Sequence, residues 1–153
     1  MRRLDQWLMD YGASHQHRTN KRLHWVCVPV IVWCVIALLW RTPIWGGPQD
    51  FWNWGLIAVA AALLYYASLS VPLALGAFLL LTAMLVSIAF LQRWSPAPLW
   101  ELASVLFVFA WIGQFIGHRI EGKRPSFFQD LQFLLIGPLW LLADVYRRLG
   151  IRT

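Results

Sequence analysis

The chain has 153 residues, 59% of them hydrophobic and 13% charged, with a net charge of +6 and a mean hydropathy of +0.57. A soluble domain carries about 25% charged residues, so this composition excludes an ordinary soluble globule. The positions of the basic residues follow a membrane topology, and no nucleic-acid partner is expected.

The first ten residues lack the apolar core and small-residue cleavage site of a signal peptide. The first apolar helix is therefore expected to act as the insertion signal and to remain. A polar segment follows, SHQHRTNKRLH at 14–24. Uncharged runs at 25–40, 51–70, 71–91 and 102–117 predict helices at about 23–40, 51–70, 72–91 and 99–117. Cys27 and Cys34 stand about two turns apart on the first of these, too far for a disulfide, and read as small buried hydrophobes. Ser70 to Pro72 is the whole turn between the second and third helices, with proline suited to a first helical turn.

The second polar segment, GHRIEGKRP at 117–125, precedes a shorter apolar stretch at about 129–146, interrupted at Gly137 and Pro138. Ser126 and Gln129 have capping-box spacing at its start. A fifth crossing would export Arg147, Arg148 and Arg152, so a kinked re-entrant or interfacial helix is expected. The expected fold is all-α: one integral membrane domain over 1–153, with four transmembrane helices and this C-terminal helix.

Basic residues set the orientation. Arg2, Arg3, Arg18, Lys21 and Arg22 precede the first crossing, and Arg119, Lys123 and Arg124 follow the fourth. The far side holds Arg41 and Arg93. Positive-inside bias places the N-terminus and the 118–130 loop in the cytoplasm, in a bacterial inner membrane or an ER membrane. Trp40, Trp45, Trp52, Trp54, Trp94 and Trp100 gather at the far ends, as an interfacial belt does. All four histidines, His15, His17, His24 and His118, thus fall on one face.

A continuous helix through 15–24 cannot bring those imidazoles together. His17 and His24 would lie about 10 Å apart, and His15 and His17 about 200° apart around the axis. The chain must turn, and Arg18 to Asn20 is the expected place, with Asn20 as a candidate N-cap and His24 in the first turns of the first crossing. His118 and Glu121 are neighbours if their helix continues past Gly117. Glu121 is a ligand, an acceptor that orients an imidazole, or a solvated partner of Lys123 or Arg124. Gln114, one turn before His118, either orients it or bonds a neighbouring helix. Asp144 is either a functional carboxylate or a helix-end partner of Arg147 and Arg148. No HExxH motif, phosphate-binding glycine loop or GxSxG elbow is present.

The 14–24 segment with Cys27 to Pro29, the stretch WIGQFIGHRIEGKRP at 111–125, and Ile136 to Pro138 with Asp144 together resemble the signatures of the small membrane 2-hydroxy fatty acid dioxygenases. The similarity extends over 11–146. It implies a Fe(II)-dependent enzyme that uses molecular oxygen to shorten a long-chain 2-hydroxy fatty acid by one carbon, without 2-oxoglutarate. It also implies that His15, Asn20, His24, Gln114, His118 and Glu121 form the site. Imidazole suits Fe(II), and three protein ligands leave three of six positions for a chelating hydroxy acid and dioxygen. This favours His15, His24 and His118 as ligands, with His17 a fourth ligand or an outer group. Arg18, Arg22, Arg119 and Arg124 are candidates to attract the substrate carboxylate. A di-iron lipid hydroxylase or desaturase, and a non-enzymatic metal- or haem-binding membrane subunit, are the alternatives.

Overall fold

A computed structural model describes residues 4–13, 15–42, 53–122 and 134–151. Every regular element among them is a helix: α1 Leu4–Ala13, α2 Arg18–Trp40, α3 Trp54–Leu69, α4 Val71–Trp94, α5 Leu99–Ile120 and α6 Ile136–Arg148. Three helices, α2, α4 and α5, have 23, 24 and 22 residues and are long and apolar enough to cross a membrane. The expected four crossings are not reached by length, because α3 is apolar but has only 16 residues. Its roughly 24 Å falls short of the roughly 30 Å hydrocarbon layer.

Large apolar side chains face outward on the long helices. Leu79 and Phe109 are 69% and 68% exposed, and Phe78, Val86 and Phe90 are also exposed. Such a surface is anomalous in water and suits lipid. Inside, Ile36, Leu73, Leu81, Ile88 and Leu139 form part of a continuous core. A polar tie crosses it: Trp33 Nε1 donates to Ser87 Oγ at 2.8 Å, and that hydroxyl donates to Met84 O at 2.7 Å. Satisfying both groups within the bundle avoids leaving them unpaired in hydrocarbon.

Ser70 alone joins α3 to α4. Its N–H closes α3 on Tyr66 O, and its Oγ accepts from Leu73 N to open α4. Pro72 sits in that first turn, where its missing N–H costs nothing. Pro138 likewise falls in the first turn of α6, beside Gly137. The first part of the expected 129–146 helix, with Ser126 and Gln129, lies outside the described residues. With 13 residues, about 20 Å, α6 is too short to cross. It is held against the bundle by Tyr146 Oη, which donates to Pro72 O at 3.0 Å. Tyr66 Oη donates to Leu135 O at 2.8 Å just before it.

The helices α2 and α5 pack closest, because Gly113 and Gly117 present a small-residue face to α2. A Cβ at Gly113 would stand 2.6 Å from Cys27 Sγ. Cys27 and Cys34 are both buried, as small apolar side chains of α2. Gly113→Ala is expected to cost about 1–3 kcal/mol by overpacking. Adding Cys27→Ala should recover most of that loss in thermal unfolding of the detergent-solubilised protein. A double variant no better than the single one would show that the helices do not meet there.

Candidate metal centre

The site assembles where α1 ends, α2 begins and α5 ends. Short-range pattern explains α1: Leu4, Trp7, Leu8 and Tyr11 follow the i, i+3, i+4, i+7 spacing of one helix face. After α1 the chain turns through His15 to His17, and α2 opens at Arg18. The turn therefore comes before Arg18 and not at Arg18 to Asn20. His17, in extended conformation, is the N-cap, its Nδ1 accepting from Thr19 N at 3.2 Å. Asn20 lies inside the first turn, fully buried.

His15, His24 and His118 are all buried, and each offers a nitrogen within 4.8 Å of the others. Ring centroids lie 4.1 Å apart for His15 and His24, 5.0 Å for His24 and His118, and 5.6 Å for His15 and His118. Three nitrogens sharing one ion at about 2.1 Å lie roughly 3.0–3.6 Å apart. The three nitrogens are therefore close enough together to be candidate ligands of one ion. His15 Nδ1 meets Tyr11 O at 2.6 Å and His24 Nδ1 meets Asn20 O at 3.0 Å. A carbonyl only accepts, so both Nδ1 atoms carry the proton, and each neutral ring has its Nε2 lone pair available for a metal. Tyr11 stacks on His15 at 4.2 Å with 12° between planes, and Trp140 of α6 packs beyond it, 5.3 Å from Tyr11. His17 is exposed and outside this group; its ring serves the helix cap.

Glu121 ties the two helix ends that carry the ligands. Its carboxylate accepts from Gln16 N at 2.7 Å, His17 N at 2.9 Å and Asn20 Nδ2 at 2.8 Å. The first two donors precede or open α2, where backbone N–H groups lack intrahelical partners. Partial burial works against the charge of Glu121. The hydrogen bonds from Asn20, His17 and Gln16, with His15 nearby, outweigh it and hold its carboxyl below the usual range. Lys123 and Arg124 lie outside the described residues; Glu121 accepts from the backbone and amide of the α2 segment and not from an imidazole. Gly117 makes room for it: a Cβ there would stand 2.4 Å from Asn20 Oδ1.

Gln114 is buried, and its Oε1 has no hydrogen-bond partner among the described residues. It lines a narrow void of about 20 Å³ beside His24, walled by Tyr11, Val28, Ile31, Trp111 and Leu134. That is room for roughly one water-sized molecule. Asp144 pairs with Arg147 and, at 2.8 Å, with Arg148, so it is the helix-end partner. Arg119 is exposed beside His118, and Arg124 lies outside the described residues. Arg18 and Arg22 line a separate cleft, away from the void at His24.

Reading the sequence missed α1, and with it Tyr11, although the periodicity above was visible. It also missed the Gly113/Gly117 pair, legible as GxxxG within an apolar helix. Trp140 carries no local signal, because its contact with the site depends on where α6 docks.

A family model described as 2-hydroxy-palmitic acid dioxygenase Mpo1-like matches residues 1–149. The chain is 28% identical over 144 residues to the 2-hydroxy-palmitic acid dioxygenase MPO1 of Saccharomyces cerevisiae, covering 92% of this chain and 78% of the yeast protein. No solved structure matches the chain.

Proposed function

The chain belongs to the Mpo1-like family, and from that premise we propose that it is a Fe(II)-dependent membrane dioxygenase. Its substrate is a long-chain 2-hydroxy fatty acid, shortened by one carbon at the cytoplasmic face of the membrane. The observation that carries this reading is the convergence of His15, His24 and His118 at one buried point. When bound there, Fe(II) supplies the Lewis-acid and redox chemistry that lets molecular oxygen react with an organic acid.

The chain's own residues do the rest. His15 and His24 hold fixed tautomers through Tyr11 O and Asn20 O. Glu121 and Asn20 clamp the start of α2 to the end of α5, which sets the spacing of His24 and His118. Gln114 Oε1 accepts a hydrogen bond from the substrate's 2-hydroxyl; a buried acceptor of this kind is costly unless paired. The apolar walls of Val28, Ile31, Trp111 and Leu134 receive the first carbons of the acyl chain. A void of about 20 Å³ holds no chain, so Trp111 or Leu134 moves when substrate enters. Arg119, with Arg124 further along the sequence, attracts the carboxylate from the aqueous side.

Purified protein supplied with Fe(II), dioxygen and a long-chain 2-hydroxy acid is expected to yield the acid one carbon shorter, with one iron per chain. Two irons per chain would point instead to a di-iron hydroxylase, and a Soret band to a haem protein. Turnover that persists in iron-free protein would defeat the proposal.

A further inference from the structure

Arg18 and Arg22 line a cleft of about 650 Å³ between the start of α2 and α6. Arg18, Lys21 and Arg22 stand on its α2 side, and Arg147 and Arg148 on its α6 side. Asp144 is the carboxylate lining it among the described residues, and both α6 arginines already bond to it. No acidic side chain in the first turn of α2 offsets the three basic residues there. Five cations thus face one carboxylate, from two segments more than a hundred residues apart in sequence. Such a cleft attracts an anion.

Its walls narrow the choice. Trp25 and Trp140 line it, and Arg148 Cζ lies 5.7 Å above the Trp25 ring, joining the two sides. Tryptophan at the end of an apolar helix favours the headgroup level of a bilayer. Val26, also in the lining, is an aliphatic side chain 65% exposed. Cations above, tryptophan at the rim and an aliphatic side chain below match the layers of a phospholipid: phosphate, glycerol and acyl chain.

We propose that this cleft binds the headgroup of an anionic phospholipid, through Arg18, Lys21, Arg22, Arg147 and Arg148. Trp140 separates the cleft from Tyr11 and His15, so a lipid seated there braces the wall behind the histidines without entering their site. Binding is independent of iron and of the oxygenase reaction.

The test uses detergent-solubilised full-length protein without added iron. It is titrated with phosphatidylglycerol, phosphatidylcholine or inorganic phosphate and followed by native mass spectrometry and thermal unfolding. Phosphatidylglycerol alone is expected to bind and to raise Tm. Near an anionic lipid surface each arginine is worth roughly a fivefold change in affinity. Arg18→Gln with Arg22→Gln should therefore weaken phosphatidylglycerol binding about twenty-fivefold, with Tm in phosphatidylcholine close to wild type. The charge-keeping pair Arg18→Lys with Arg22→Lys, a control against misfolding, should bind within a few-fold of wild type. Equal binding of both lipids, undiminished binding by the glutamine pair, or the same Tm gain from inorganic phosphate would each overturn the proposal.

Discussion

His118→Ala is expected to lose bound iron and to abolish chain shortening of a 2-hydroxy acid. Among the described residues only His15 and His24 remain to hold the ion. Removing a partner that merely orients a ligand costs about ten- to hundredfold in metal affinity or activity, and removing a ligand should cost more. The fold should tolerate the change, because alanine suits the last turn of α5 better than histidine does. His17→Ala is the control: its ring caps α2, so iron content and turnover should stay within a few-fold of wild type. Metal analysis beside a product assay separates the two variants. Full activity in His118→Ala, or equal losses in both, would refute the three-histidine assignment.

The second large effect is expected at Glu121. Glu121→Ala leaves Gln16 N, His17 N and Asn20 Nδ2 without their acceptor. Water can replace the carboxylate at the two exposed backbone donors, so the direct cost is about 0.5–1.5 kcal/mol per bond at most, and the change also frees the α2 start from the α5 end. A tenfold or greater loss of iron affinity should accompany the lower stability. Acid titration tests the cause. The carboxyl of Glu121 is held below its usual range in the folded chain, so its stabilisation is complete above the unfolded pKa of about 4.3. It drains away as pH falls through the folded value. Relative to Glu121→Gln, wild type should therefore gain its advantage above about pH 5 and lose it progressively below about pH 4. Unfolding midpoints measured across that range check this; a difference that stays constant with pH would exclude the charged clamp.

Periodicity and charge, read locally, located most of the frame. Uncharged runs marked α2, α3, α4 and α5, because burying a polar backbone in hydrocarbon demands a helix wherever side chains are apolar. Ser70 and Pro72 marked the α3–α4 turn for reasons contained in the turn itself. The helix α2 starts at Arg18, five residues before the expected 23, since its opening is set partly by Glu121, a residue 101 positions beyond Asn20. No local rule could supply that acceptor. The same holds for Gly137 and Pro138 at the start of α6, where Gly137 lies against Val28 of α2.

For the site, the sequence by itself determined which side chains were available and that a straight helix could not unite them, because helical geometry is local. Only the tertiary structure decided among them. It put His15, His24 and His118 at one buried point, turned His17 outward as a cap, and sent Arg18 and Arg22 to another cleft. The physical reason is the close packing of α2 on α5 through Gly113 and Gly117. That approach brings Asn20 and His24 against Gly117 and lets Glu121 reach the α2 start.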